Sequence, residues 1–319
     1  MSSAFSQTDA AGRLRHLVTL DGLPRALLER LLADADALAS SPARGDALRG
    51  LAVANLFGEP STRTRASFEL AALRQGADVV NLDGALSSRA KGETLLDTVH
   101  TLLAMRVDFF VIRDAQAGVQ EFVARAVGDA AAVISAGEAH LSHPTQGLLD
   151  ALTIRQCKGG FEGVPVAIVG DVTRSRVACS AHRALTSLGV SDIRIVAPRE
   201  MMPGPGEFEG ASRHESLDEG IAGAGAVMAL RIQHERAGGA GPVDVAAYRR
   251  EFGLTAARLA RAAPDAIVMH PGPMNRGVEI DSDVADGPQS VIRRQVANGL
   301  AVRMAVFAHL AGARRTRAT

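Results

Sequence analysis

The stretch Ser61-Thr62-Arg63-Thr64-Arg65 decides how the rest of this sequence is interpreted. It lies between a strand-like apolar run, residues 51–57, and a helix-like run, residues 66–75. A helix that begins here directs backbone N–H groups without intrahelical partners beyond the end of the strand. Hydroxyl groups, two guanidinium groups and the positive end of the helix dipole would then share one turn. The stretch therefore predicts a phosphate site, although a plain Ser-Thr helix cap with solvated arginines would explain the same residues.

Length and composition limit the class of protein. A chain of 319 residues exceeds the usual size of a single core, so two domains are expected. With 35 basic and 35 acidic side chains, the sequence carries no charge pattern for nucleic acid or for an anionic membrane. The polar N-terminus and the lack of a run of about 20 apolar residues predict a cytoplasmic protein. Cys157 and Cys179 form no metal or disulfide pattern and are interpreted as buried thiols.

Short apolar runs alternate with amphipathic segments along most of the chain. This alternation is typical of parallel sheets, so we predict an α/β fold of two doubly wound domains, each a parallel sheet covered by helices on both faces. After a first helix at 24–39, strands are predicted at 51–57, 77–82, 107–112, 131–135, 164–169, 193–197, 226–230 and 266–269. Helices are predicted at 61–75, 94–105, 119–127, 146–157, 177–188 and from residue 290 to about 312.

Conspicuous polar residues follow the carboxyl ends of these strands, where open α/β sheets bind ligands. They are Ser61–Arg65, Arg113, His143, Asp171, Arg231 with Gln233, and Pro271-Gly272-Pro273. Each has a plain alternative: a surface charge, a loop histidine, a helix cap or a solvated strand end. Together they provide many cationic donors but no metal cluster, cysteine nucleophile or Ser-His-Asp set. Such a site suits a substrate with several negative charges and a reaction driven by positioning and electrostatics, with no metal or cofactor.

Five motifs together resemble the catalytic chain of the aspartate carbamoyltransferase family, over about residues 14–312. They are Phe57-x-Glu59-Pro60-Ser61-Thr62-Arg63-Thr64-Arg65, Ser87-Ser88-x-x-Lys91-Gly92-Glu93-Thr94, His143-Pro144-Thr145-Gln146-Gly147-x-x-Asp150, Arg231-x-Gln233 and His270-Pro271-Gly272-Pro273. The form of residues 273–280, Pro-Met-Asn-Arg-Gly-Val-Glu-Ile, resembles the bacterial type whose chains assemble with a dihydroorotase or its inactive relative.

The resemblance implies a role for each matching residue in the first half. Residues 1–144, completed by a C-terminal helix at 290–312, would bind carbamoyl phosphate, with its phosphate on Ser61, Thr62, Arg63 and Thr64. Arg113 and His143, together with Thr64, would surround the carbonyl oxygen on which negative charge grows. Gln146 would hold the carbamoyl amide. Ser87 and Lys91, the latter one of only two lysines in the chain, would enter this site from a neighbouring subunit of a homotrimer.

The second half, residues 145–289, would bind L-aspartate according to the same resemblance. Arg176 would join Arg231 and Gln233 in holding the two carboxylates, since a guanidinium matches a carboxylate bidentately. The turn Pro271-Gly272-Pro273 would present backbone carbonyl groups to the attacking amine.

Two residues depart from the family pattern. Asp114 stands where a histidine often follows the arginine, and its carboxylate would weaken anion binding if it turned inward. Gly58 replaces an often aromatic residue and would loosen the turn after the strand.

Three alternatives stay open at this point. An ornithine carbamoyltransferase would have a cysteine in the turn that here holds Pro271. A non-catalytic scaffold for dihydroorotase would not need the intact cationic motifs. A nucleotide-binding protein would need a glycine-rich turn of which Gly170-Asp171 is only a fragment.

Overall fold

The computed structural model describes residues 5–40, 44–83, 94–232 and 244–318. The predicted site residues Ser87, Lys91 and Gln233 lie outside these ranges. The chain forms two compact units, Met1–Leu148 with Asn298–Thr319, and Leu149–Ala297. Helices α5 (Pro144–Lys158) and α11 (Ile292–Ala318) each contribute residues to both units.

The first unit is built on a four-stranded parallel sheet in the order β2-β1-β3-β4. Its strands are β1 (Ala52–Phe57), β2 (Asp78–Asp83), β3 (Phe109–Asp114) and β4 (Ala132–Glu138). Besides parts of α5 and α11, its helices are α1 (Arg25–Ser40), α2 (Thr62–Arg74), α3 (Leu95–Ala104) and α4 (Val119–Val127).

Buried aromatic side chains tie two helices of this unit to its sheet. Phe307 of α11 meets Phe109 of β3 and Phe68 of α2 edge-on, with ring centroids 5.7 and 6.0 Å apart. The guanidinium of Arg303 lies 4.9 Å from the Phe68 ring centroid, a cation–π arrangement. The C-terminal part of α11 is therefore a core element of the first unit.

The second unit is built on a five-stranded parallel sheet in the order β7-β6-β5-β8-β9. Its strands are β5 (Val166–Val169), β6 (Ile193–Val196), β7 (Ser212–His214), β8 (Ala226–Ala229) and β9 (Ile267–Met269). Its further helices are α6 (Arg176–Ser187), α7 (Leu217–Gly220), α8 (Val245–Phe252), α9 (Ala256–Leu259) and α10 (Ser282–Ala285).

The predicted fold class is confirmed, because both sheets are parallel and flanked by helices. The strand β7 and the four short helices α7 to α10 have no counterpart in the prediction. Four-residue helices such as α7 and α9 are too short for a periodic pattern, and their signals are the side-chain caps Ser216 and Thr255.

Two further expectations need correction. Cys157 and Cys179 are only half-buried, and Arg294 donates a hydrogen bond to the Cys157 thiol sulfur at 3.2 Å. The stretch Ile292–Thr316 of α11 is, by length and composition, apolar enough to span a membrane, contrary to the expectation that no run approaches this. The most apolar window of this stretch is 67% buried inside the fold, which is typical of a core helix.

Candidate active site

Adjacent strands bring three predicted site segments of the first unit to one sheet edge. β3 lies between β1 and β4, and Arg113 is in register with Phe57, the last residue of β1. The turn after β1 leads to Ser61 at the start of α2, and the loop after β4 leads to His143. Because the strands are parallel, these segments all leave the sheet at its carboxyl edge.

The start of α2 has the features of an anion site. Ser61 has the extended backbone of an N-cap residue (φ −161°, ψ 98°), but its side chain makes no capping hydrogen bond. The first turn contains no acidic residue, and Thr62 and Arg63 are exposed. The alternative interpretation of this stretch, a plain helix cap, requires the Ser61 hydroxyl to cap α2. The structure shows no such hydrogen bond.

Arg113 is held at the same edge by Glu59, in the turn after β1, and by the backbone of β4. Its Nε lies 3.2 Å from Oε2 of Glu59, and its Nη1 donates to the backbone oxygen of Ala136 at 3.3 Å. Both charged side chains are largely buried. Glu59 therefore orients the guanidinium, a role that the sequence analysis did not assign to it.

His143 lies directly before α5 and is 4% exposed. Its backbone oxygen accepts hydrogen bonds from the N–H groups of Gln146 (2.9 Å) and Gly147 (3.2 Å), which close the first turn of the helix. Gln146, also buried, is thereby fixed one turn into α5. The imidazole and the amide are thus held on the rigid start of a helix.

The two departures from the family pattern are neighbours. The N–H of Gly58 donates to the backbone oxygen of Arg113 at 2.8 Å, and a Cβ at position 58 would lie 3.2 Å from Oδ2 of Asp114. Oδ1 of Asp114 accepts from the N–H of Gln116 at 2.9 Å. The carboxylate thus occupies space beside Gly58 and orders the turn after β3.

The second unit has its own cationic sheet edge. β5 and β8 are paired in parallel up to Val169 and Ala229, so the residues that follow them leave the sheet side by side. Arg176 is the first residue of α6 and is 5% exposed, and Arg231 follows β8 by two residues. Two arginines therefore follow two adjacent strands, Arg176 after β5 and Arg231 after β8.

The structure gives Asp171 and Gly170 roles other than helix capping and nucleotide binding. Ser175, not Asp171, caps α6, and Oδ2 of Asp171 lies 3.3 Å from Nη1 of Arg174. Gly170 has a φ of 125°, and a Cβ there would lie 3.0 Å from the backbone oxygen of Leu230. Glycine is thus needed because β5 and β8 approach each other closely where they end.

The turn Pro271-Gly272-Pro273 follows β9 and includes a cis peptide bond before Pro273. Gly272 has a φ of 64°, which favours glycine, and its N–H donates to Nδ1 of His270 at 2.8 Å. The turn is held by buried polar residues that the sequence analysis left without a role: Asp150, His270, Glu279 and Gln295. In the sequence, Asp150, His270 and Glu279 each belong to a quoted motif, whereas Gln295 belongs to none.

The geometry gathers the described candidates at two places. Ser61, Thr62, Arg63, Thr64, Arg113, His143 and Gln146 belong to the first sheet edge, and Arg176, Arg231, Pro271, Gly272 and Pro273 to the second. Among the described residues, no group of three or more His, Cys, Asp or Glu side chains could hold a metal ion. Cationic and hydroxyl side chains at the carboxyl edges of two parallel sheets suit the binding of anionic ligands.

Comparison with known families identifies the group. The model for the aspartate/ornithine carbamoyltransferase carbamoyl-P binding domain matches residues 15–156, and that for the Asp/Orn binding domain of the same family matches residues 162–310. The chain therefore belongs to the aspartate/ornithine carbamoyltransferase family.

Solved structures of both branches are similar to this chain. Aspartate transcarbamoylase from Trypanosoma cruzi, in complex with carbamoyl aspartate and phosphate, is 29% identical over 97% of this chain and 99% of that one (TM-score 0.81). Ornithine carbamoyltransferase from Pyrococcus furiosus is 27% identical over 97% and 99% (TM-score 0.83). Ornithine carbamoyltransferase from Thermus thermophilus is 27% identical over 93% of this chain and 98% of that one (TM-score 0.82). Overall similarity thus leaves the acceptor amino acid open between aspartate and ornithine.

Proposed function

We propose that this chain transfers the carbamoyl group of carbamoyl phosphate to the amino group of L-aspartate, giving N-carbamoyl-L-aspartate and phosphate in de novo pyrimidine biosynthesis. The observation that carries this choice is the pair Arg176 and Arg231, which follow adjacent strands of the second unit. Two guanidinium groups suit the two carboxylates of aspartate, whereas ornithine offers one carboxylate and an ammonium group. Gln233 would complete the carboxylate site.

The first unit would bind carbamoyl phosphate. The backbone N–H groups at the start of α2, the hydroxyls of Ser61, Thr62 and Thr64, and Arg63 would hold the phosphate. Related structures of the Trypanosoma cruzi aspartate transcarbamoylase contain carbamoyl phosphate and aspartate, which supports the substrate pair.

The chemical step would depend on charge stabilisation. As the aspartate amine attacks, negative charge grows on the carbonyl oxygen, and Arg113, His143 and Thr64 would stabilise it. The pairing of Arg113 with Glu59 orients the guanidinium before substrate binds, so less reorganisation is needed in the transition state. Gln146 would hold the carbamoyl amide, and the 271–273 turn would accept hydrogen bonds from the amine.

We also propose a cytoplasmic homotrimer in which Ser87 and Lys91 reach a neighbouring subunit's site, and an association with a dihydroorotase or dihydroorotase-like chain. The trimer and the partner chain are proposed from the resemblance of residues 87–94 and 273–280, and the cytoplasmic location from the polar N-terminal sequence. The principal alternatives are an ornithine carbamoyltransferase and a weakly active scaffold for dihydroorotase. Against the first, the turn after His270 holds Pro271, and the chain's cysteines are at 157 and 179.

The deciding experiment supplies the purified chain with carbamoyl phosphate and either L-aspartate or L-ornithine, with and without an added dihydroorotase chain. We expect carbamoyl aspartate and no citrulline. Citrulline formation would assign the ornithine activity instead. Formation of neither product under both conditions would support the scaffold alternative.

A further inference from the structure

A chain of buried hydrogen bonds fixes the backbone of His270 in the second unit. The side-chain amide nitrogen of Gln295 donates to Oδ1 of Asp150 at 2.7 Å, and its oxygen accepts from the N–H of His270 at 2.9 Å. Asp150, His270 and Gln295 are each at most 1% exposed. The residue that begins the 270–273 turn is therefore held from the core.

The His270 ring connects the turn to Glu279. Nδ1 accepts from the N–H of Gly272, so in the neutral ring the proton lies on Nε2. Nε2 is 3.2 Å from Oε1 of Glu279 and therefore donates to it. One carboxylate oxygen thereby selects the tautomer that can hold the turn.

The same oxygen of Glu279 orders a second backbone segment. Oε1 accepts from the N–H of Asn275 at 2.5 Å, and the Asn275 side chain donates to the backbone oxygen of Ile232 at 3.4 Å. Ile232 directly follows Arg231. Glu279 is therefore connected both to the 271–273 turn and to the segment after β8 that carries Arg231.

The position of Glu279 is costly for stability. It is 1% exposed, and neither its Oε2 nor the Oη of Tyr248, which is 5% exposed, has a hydrogen-bond partner in the described part of the chain. Burial, with the charges of Glu279 and Asp171, raises the pKa of the Tyr248 hydroxyl well above its ordinary range. A buried carboxylate with an unsatisfied oxygen is a poor way to stabilise a fold.

We infer that Glu279 is a positioning residue of the acceptor amino-acid site: through His270 and Asn275 it fixes the 271–273 turn relative to Arg231. This inference rests on the proposed function, since that turn and Arg231 are the groups assigned to the acceptor. It also gives the Pro-Met-Asn-Arg-Gly-Val-Glu-Ile segment a role inside its own chain, separate from any partner chain.

The test compares Glu279→Gln, which keeps an acceptor oxygen, with Glu279→Leu, which removes it. We expect Glu279→Leu to raise the KM for the acceptor amino acid at least tenfold, with the Kd for carbamoyl phosphate changed less than twofold. Glu279→Gln should stay within about threefold of wild type for both constants. Asp286→Asn is the matched control, because it breaks the exposed pair with Arg276 in the same segment without touching Glu279.

A second pair of variants covers the case in which Glu279→Leu does not fold. In His270→Asn the side-chain oxygen can replace Nδ1 as the acceptor for Gly272, whereas His270→Leu provides none. The acceptor KM should therefore rise much more for His270→Leu. Amide hydrogen exchange adds a readout without turnover: the N–H of Gly272 loses protection in His270→Leu and keeps it in His270→Asn.

The outcomes separate this inference from the proposed function. Wild-type enzyme that carbamoylates ornithine instead of aspartate would overturn the function, and KM would then be measured for ornithine. An unchanged acceptor KM in folded Glu279→Leu would overturn the inference, as would equal KM increases in Glu279→Leu and Glu279→Gln. Equal exchange protection of Gly272 in both His270 variants would overturn it as well.

Discussion

Single residues explain where this chain departs from its family. Gly58 and Asp114 appear as two unrelated departures in the sequence, but a Cβ at position 58 would lie 3.2 Å from the Asp114 carboxylate. That contact is tighter than most real Cβ contacts, so a larger residue at 58 would require Asp114 to move. The two residues therefore form one coupled site beside the strand that carries Arg113.

The coupling between Gly58 and Asp114 can be measured in a double-mutant cycle. Gly58→Ala should lower the free energy of unfolding by about 1 kcal/mol because it crowds the carboxylate. With Asp114→Ala already present, the same change should cost less, with a coupling of at least about 0.5 kcal/mol in urea unfolding. Gly45→Ala is the control, since a Cβ there meets no atom within 4 Å. Strictly additive effects would show that the two positions are independent.

The assignment of Arg231 to the acceptor site gives a kinetic prediction. Arg231→Ala should raise the aspartate KM strongly, since losing one partner of a charged hydrogen-bonded pair costs about 2–5 kcal/mol. Carbamoyl phosphate binding, measured by calorimetry, should stay near the wild-type value. Arg261→Ala is the matched control, because Arg261 pairs with Asp218 on the surface of the same unit. An unchanged aspartate KM would refute the assignment.

At the scale of elements, caps decide where the helices near the site begin. Helix α3 begins after Thr94, whose hydroxyl accepts from the N–H of Asp97 at 3.2 Å, while the Asp97 carboxylate accepts from the N–H of Thr94 at 3.0 Å. This capping box fixes the residue that directly follows the segment containing Lys91. Ser61, by contrast, has the N-cap backbone without the capping bond, which agrees with the proposed phosphate site at this helix start.

Removal of the cap should destabilise the protein in a pH-dependent way. Thr94→Ala should lower the free energy of unfolding by about 1 kcal/mol at neutral pH. Hydrogen bonds from Thr94 lower the pKa of Asp97, so the part of the cap that depends on the Asp97 carboxylate is fully present above the ordinary range of Asp, near pH ~4. That part should be lost as the pH falls through the lowered pKa, whereas the bond from the Asp97 N–H to the Thr94 hydroxyl does not titrate. Denaturant unfolding at neutral and acidic pH tests this, with Thr101→Ala, an exposed mid-helix change, expected to be neutral or slightly stabilising.

At the scale of the whole molecule, a chain with no net charge concentrates cations at two sheet edges, one in each unit. Lys158, one of the two lysines of the chain, has a structural role. Its Nζ donates hydrogen bonds to the backbone oxygen and the carboxylate of Asp265. These bonds connect the end of α5 to the loop before β9. Lys91 is the other lysine, and its predicted role belongs to an assembly of chains.

A site shared between subunits predicts complementation between inactive variants. Lys91→Ala and His143→Ala chains should each be inactive as homotrimers. In a randomly mixed trimer, about a quarter of the sites would combine an intact His143 with an intact Lys91 from the neighbour. We therefore expect about that share of wild-type activity after the two variants are dissociated and reassembled together.

The control for complementation mixes wild-type chains with the Lys91→Ala/His143→Ala double variant by the same procedure. Hybrid trimers are verified by mass. If the Lys91→Ala and His143→Ala chains form hybrid trimers and these show no recovered activity, Lys91 acts in its own subunit or has no catalytic role.

The sequence by itself determined the fold class and the first sheet edge. Hydrophobic runs of strand length alternating with amphipathic helices specify a buried parallel sheet locally, and short-range chemistry at Ser61–Arg65 indicates a helix start suited to anions. These features depend on residues close together in the chain, so the local sequence pattern is enough to predict them. Helices α7, α9 and α10 and strand β7 are the exception, since four or fewer residues show no reliable period.

Only the tertiary structure decided which distant residues support the site. Glu59 orients Arg113 across 54 positions, and Glu279, His270, Gln295 and Asp150 form one buried chain although they come from widely separated segments. The neighbourhood of Gly58 and Asp114 is likewise long-range. A buried polar side chain must find its partner in three dimensions, because unpaired burial costs free energy, and no local periodicity encodes which partner that is.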